Sequence, residues 1–165
     1  MSSWLNMKNV NINFETDIEK SSMDIDEIKS LLKNIYKQEN IDQKCELNII
    51  FVDNQYIHRL NKRYRNIDSA TDVLSFPVDT VFLPDGVCIL GDIFISIERA
   101  KEQAKMYNVS LLEEVKHLVI HGILHLLGYH HNTEEQRIKM QDLERKYLTL
   151  GCDGVHTKDE SIKKC

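Results

Sequence analysis

Polar and apolar residues alternate over residues 9–15 (NVNINFE), the period-two signature of a half-buried strand. The spacing then changes. Ile25, Ile28, Leu31, Leu32 and Ile35 recur at helical intervals within residues 23–38, with Ser22 or Asp24 placed to cap the helix. Glu46–Val52 (ELNIIFV) reads as a second strand. After it, Ile57, Leu60 and Tyr64 form the apolar side of a short helix ending near Tyr64, and the other side carries His58, Arg59, Lys62, Arg63 and Arg65. Residues 72–76 (DVLSF) form a short strand stopped by Pro77, and residues 87–96 (VCILGDIFIS) a longer one in which Gly91 marks a bulge or a close approach. Helical patterns follow over residues 97–106, 111–127 and 133–148, the last with Thr133 as N-cap and Glu134 and Glu135 in its first turn. Strands dominate the first 96 residues and helices the rest, which predicts an α+β fold: a small mixed sheet packed by helices.

The chain of 165 residues has no repeat and no Gly/Ser linker, so one domain spanning 1–165 is expected, with 157–165 as a charged tail. No apolar run approaches the ~18 residues of a membrane span. The first fifteen residues lack a basic start followed by an apolar block, so no secretion signal is read there and a cytoplasmic location is expected. In that setting Cys45, Cys88, Cys152 and Cys165, which never form CxxC, are expected as reduced thiols. A net charge of −5 excludes a protein that coats nucleic acid without discrimination, but leaves room for a local basic patch.

Five of the seven histidines fall between His117 and His131, in KHLVIHGILHLLGYHHN. His121 and His125 are four residues apart, so on a helix they lie about 400° round and roughly 6 Å along, on one face. Two imidazoles so placed can reach one metal ion. Gly128 follows at the natural place for a left-handed helix stop. Beyond that stop the chain can double back and deliver His131, which on an unbroken helix would lie about 240° away from His125. HxxxHxxGxxH therefore fits three histidine ligands with a fourth position open, as in catalytic zinc sites. Neutral imidazoles suit Zn2+, although other divalent transition metals fit three nitrogens. His117 continues the same face but stands about 12 Å from His125, too far for one ion to bind both, and is expected to be a hydrogen-bonded neighbour of the site. His130 points elsewhere and can orient a ligand or contact substrate.

Peptidases of the HExxH type place a Glu directly after the first His as general base; here that residue is Gly122. Zinc deaminases need H-x-E and P-C-x-x-C, and neither occurs. A metal ion that lowers the pKa of bound water still suits phosphodiester hydrolysis, which also wants a cation for the developing charge. Arg59, Lys62, Arg63 and Arg65 are the candidates, although by charge alone they read as a solvated helix face.

The run HGILHLLGYHH at 121–131, preceded by YRNIDSATDVLSFP and LGDIFIS, resembles the YbeY family of bacterial endoribonucleases. The resemblance spans roughly residues 47–150, and NVNINFE also looks like that family's opening strand. It implies a metal-dependent, single-strand-directed endoribonuclease acting in ribosomal RNA maturation, at the 3′ end of small-subunit rRNA, and in ribosome quality control. RNA, the small ribosomal subunit and ribosome-associated proteins are then the expected partners, without membrane or DNA. It also carries the family's metal ligands onto His121, His125 and His131, and its functional arginine onto Arg65. The other reading is a non-catalytic ribosome-assembly factor whose metal site is structural and closed by a fourth ligand such as His130. Two departures stand out: the family motif usually reads GYDH where this chain has GYHH, and six residues precede Met7.

Overall fold

The computed structural model describes residues 8–16, 23–78 and 88–150. In chain order the elements are β1 (Val10–Phe14), α1 (Ile25–Gln38), β2 (Glu46–Val52), α2 (Asn54–Arg65), β3 (Val73–Pro77), β4 (Ile89–Ser96), α3 (Ile97–Tyr107), α4 (Leu111–Leu126) and α5 (Glu134–Leu150). Each boundary has a local cause. Asp24, Asp53, Ser96 and Ser110 accept a backbone N–H at the first turn of α1, α2, α3 and α4, and Thr133 Oγ1 does the same for α5. Asn66 and Asn108 adopt left-handed conformations, φ 58° and 56°, where α2 and α3 stop. The cap of α1 is thus Asp24; the other candidate, Ser22, lies outside the described residues, as do Val87, Cys152, Cys165, residues 157–165 and the six residues before Met7.

The sheet order is β1-β2-β4-β3, with β1, β2 and β4 parallel and β3 antiparallel on the edge of β4. This is the mixed sheet of an α+β domain. Alternation along the strands turns Leu47, Ile49 and Phe51 of β2 and Ile93 and Ile95 of β4 into one buried core with α1, α4 and α5. The opposite face is covered in part by α2, where Ile57 packs with Val52 and Leu74. Gly91 is both a bulge and a close approach. The β2–β4 register slips between Glu46 and Leu47, φ at Gly91 is +142°, and an added Cβ would stand 2.3 Å from the Phe76 carbonyl oxygen.

One expectation is corrected. Cys45 and Cys88 are not free thiols but a disulfide, Cα–Cα 4.4 Å, joining the starts of β2 and β4. Sequence spacing hid this, since the two cysteines lie 43 residues apart and meet only because β2 and β4 are adjacent parallel strands. Glu46 N–H donating to the Cys88 carbonyl continues the pairing at that end.

Candidate metal centre and active site

α4 is the element that positions the chemistry. Buried residues from Val115 to Leu124 seat it on the sheet, and Gly122 lets it come close: a Cβ there would be 2.8 Å from Ile93 Cγ2. Ser75 of β3 fixes the same spot by donating its hydroxyl to the Gly122 carbonyl at 3.0 Å. His121 and His125 consequently share the face of α4 that looks away from the core, with ring centroids 4.5 Å apart. Just past the end of α4 the chain turns left-handed at Gly128, φ +96°, where the Gly128 and Tyr129 N–H groups donate to the carbonyls of His125 and Leu124. The turn is tied down by the Tyr129 hydroxyl, which donates to Glu39 at 2.7 Å. The chain then doubles back and brings the His131 ring to 5.0 Å from His125 and 5.7 Å from His121.

One ring nitrogen from each of His121, His125 and His131 lies within 4.8 Å of the others, a group able to hold a metal ion. The donor chemistry fits. Glu144 of α5 lies 2.6 Å from His121 Nδ1, and its contacts with His117 and His121 outweigh its burial and hold its carboxyl down at about 2. An ionised carboxylate only accepts, so His121 turns a protonated Nδ1 toward Glu144, and Nε2 is the ring nitrogen placed to take a metal ion. That nitrogen faces His125 Nε2 at 3.0 Å. Burial first, then the neighbouring His121, His131 and His130, lower the pKa of His125 to about 4, so its ring is neutral near pH 7. Three imidazole nitrogens brought this close together suit a borderline transition-metal cation. His130 is exposed beside the group and not among its three members, its ring 6.5 Å from His125.

The histidines open into a cavity of about 500 Å³, and Arg65, at the last position of α2, lines the same cavity with Asp72 and Ser75. Arg65 is exposed, and its guanidinium Nη2 donates to the Ser75 carbonyl at 3.2 Å. Asn61, buried one turn earlier, donates to the Ser69 carbonyl and holds the loop that follows α2. Arg59, Lys62 and Arg63 do not line that cavity; Lys62 lies 3.9 Å from Asp68, and Arg59 and Arg63 cover the rings of Tyr56 and Tyr64. A smaller cavity of about 240 Å³ adjoins on the other side of His121 and His131, bounded by Asp72, Met140, Gln141 and Glu144.

His117 is held outside the metal group, as its distance along the helix requires. Its Nδ1 lies 3.2 Å from Glu114 and its Nε2 3.1 Å from Glu144. Sequence reasoning missed both carboxylates and Asp72. A signal existed for Glu144: it interrupts the apolar stripe of α5 between Met140 and Tyr147, both buried, where a charged residue needs a partner.

Comparison with known proteins identifies the family. Residues 9–150 match the family described as Endoribonuclease YbeY. A protein of that name from Caldanaerobacter subterraneus is 40% identical over 146 residues, 82% of this chain and 92% of its own. One from Clostridium botulinum strain Eklund 17B is 36% identical over 156 residues, covering 83% of this chain and 93% of the relative. Among solved structures, the solution structure of TM1509 from Thermotoga maritima is similar at a TM-score of 0.57 and 27% identity, over 90% of this chain and 99% of that one. With a family match over most of its length and relatives at about 40% identity, the chain belongs to the endoribonuclease YbeY family.

Proposed function

We propose that this member of the family is a metal-dependent endoribonuclease that cuts single-stranded RNA during ribosomal RNA maturation, at the 3′ end of small-subunit rRNA, and in ribosome quality control in the cytoplasm. Zn2+ is the proposed ion, held by His121, His125 and His131, and Arg65 is the proposed phosphate-binding residue. The observation that carries the reading is the single cavity lined by both the three histidines and Arg65. Among the described residues no helix is long and apolar enough to cross a membrane.

A divalent ion held there would supply Lewis acidity toward a phosphoryl oxygen and make water more acidic. The protein's own groups do the rest. His121, His125 and His131 would hold the ion with one ring nitrogen each; all three line the cavity, and His130 lines it without being a member of the group. Arg65 offers a planar fork that can hold two phosphate oxygens and offset charge as it builds. Its bond to the Ser75 carbonyl orients the guanidinium toward the cavity before substrate arrives. Arg59, Lys62 and Arg63, on the exposed side of α2, extend a basic surface along which an RNA backbone is steered.

The test is cleavage of a single-stranded RNA carrying the small-subunit 3′ end, with and without chelator, by the wild type and by a protein lacking all three histidines. Chelator-sensitive cleavage absent from the triple variant is expected. Binding without cleavage at full metal loading would instead favour an assembly factor with a structural ion.

A further inference from the structure

We propose that Glu144 is a positioning residue of the metal centre, holding His121 in the tautomer and ring orientation that turn Nε2 toward the ion. The inference rests on reading His121, His125 and His131 as the ligands. Glu144 projects from α5, a different element from all three, and its side chain is only 12% exposed. Its two oxygens are both committed: Oε1 lies 2.6 Å from His121 Nδ1 and Oε2 3.1 Å from His117 Nε2. His117 in turn reaches Glu114, which is 1% exposed and whose second oxygen has no partner. Carboxylates and imidazoles therefore alternate from the core outward, Glu114 to His117 to Glu144 to His121, and the last imidazole belongs to the metal group.

The geometry separates positioning from simple stabilisation of the fold. A buried carboxylate that needed only a counter-charge would be served by His117, which bridges two acids. Yet the shorter of the two contacts runs to His121, and it occupies the ring nitrogen that faces away from His125. A carboxylate there raises the basicity of the ligand and forbids the tautomer that would put a proton on Nε2. His117, clamped on both nitrogens, keeps Glu144 from rotating away. The tautomer of His121 is therefore set by an acid on α5, before any ion binds.

The experiment measures zinc affinity of the metal-free protein against a chromophoric chelator, together with ¹⁵N shifts of the histidine rings. Glu144→Gln keeps the size and one acceptor but loses the charge, and is expected to bind zinc about 10–100-fold more weakly. Glu114→Gln also weakens the clamp on His117, without touching His121, and is expected to stay within about threefold of wild type. In the metal-free wild type, His121 should carry its proton on Nδ1. A folded Glu144→Gln protein with wild-type affinity, or equal losses in both variants, overturns the proposal. So does an Nε2-protonated His121 in the wild type, a measurement that stands even if Glu144→Gln fails to fold. His121→Ala distinguishes the underlying reading: if zinc binding survives it, the ligand assignment itself is wrong, whereas loss there with an unaffected Glu144→Gln sinks only the role of Glu144.

Discussion

His121 Nε2 and His125 Nε2 face one another at 3.0 Å, one helical turn apart, while His121 Nδ1 is engaged by Glu144. Two nitrogens on one tetrahedral zinc, each at about 2.0–2.1 Å, would stand roughly 3.3 Å apart, so a small opening of this pair admits the ion. Metal analysis after gentle purification should find close to one equivalent. His121→Ala should abolish it. His117→Ala should largely keep it, and the opposite pattern would mean that the wrong histidines are taken as ligands.

Arg65 is expected to act on turnover more than on binding. Losing a donor that strengthens as charge develops costs about 10²–10³ in rate, and lysine should be a poor substitute because it cannot form the two-pronged contact. Arg63→Ala should instead weaken RNA binding in a salt-dependent way. Single-turnover cleavage at matched metal content decides this, and equal mild losses from Arg65→Lys and Arg63→Ala would reduce Arg65 to one more surface charge.

Gly122 occupies the position where a HExxH peptidase carries its general base, and the packing explains why no such residue fits. Its missing Cβ would press on three side-chain atoms of Ile93 at 2.8 to 3.2 Å. Gly122→Ala should destabilise by about 1–3 kcal/mol through overpacking, read by denaturant unfolding. Gly122→Glu should fail to fold. A stable Gly122→Glu protein would show that α4 sits less tightly on β4 than these distances indicate.

The buried acid–histidine ladder should leave a pH signature on the metal-free protein. Burial alone lowers the His117 pKa, but its bonds to Glu114 and Glu144 outweigh burial and push it up to about 9, against an ordinary value of 6.5. The folded state binds the proton more tightly, so this stabilisation is complete below about pH 6.5 and is lost as pH rises through about 9. Glu144 has the opposite sign: held down at about 2 against 4.5, it stabilises above about pH 4.5 and stops doing so as pH falls through 2. Urea unfolding should therefore show a loss of stability between about pH 6.5 and 9.5 that shrinks in His117→Gln. A difference that survives the substitution intact would assign it to another group.

The Cys45–Cys88 disulfide closes a segment of 43 residues that includes β2, α2 and β3. Chain entropy assigns such a closure up to about 4 kcal/mol, so reductant should lower the denaturation midpoint and Cys88→Ser should reproduce the effect. An unchanged midpoint under reductant would mean that the bond does not constrain the unfolded chain as supposed.

What was readable in the sequence follows the range of the forces involved. Helix and strand periods, the caps at Asp24 and Thr133, the bulge at Gly91 and the turn at Gly128 are local, and the structure matches them to within a residue or two. The histidine group was legible for the same reason, because its three members lie within eleven residues and a single helix stop relates them. Glu144, Asp72 and the pairing of Cys45 with Cys88 were not. Each depends on which strand or helix lies beside which: the place of Glu144 in the apolar stripe of α5 shows that it needs a partner, but not that the partner is an imidazole on α4.

Ser75 is held from both ends: its carbonyl accepts from Arg65, and its hydroxyl donates to the carbonyl of the residue next to His121. One residue of an edge strand is therefore the ruler between Arg65 and the helix that carries His121 and His125. Any sliding of β3 along β4 shifts Arg65 and α4 by coupled amounts, so the two halves of the centre keep their spacing or lose it together. Remodelling the cleft for a different phosphodiester geometry would have to begin at this strand, because replacing either functional side chain alone leaves the gauge between them unchanged.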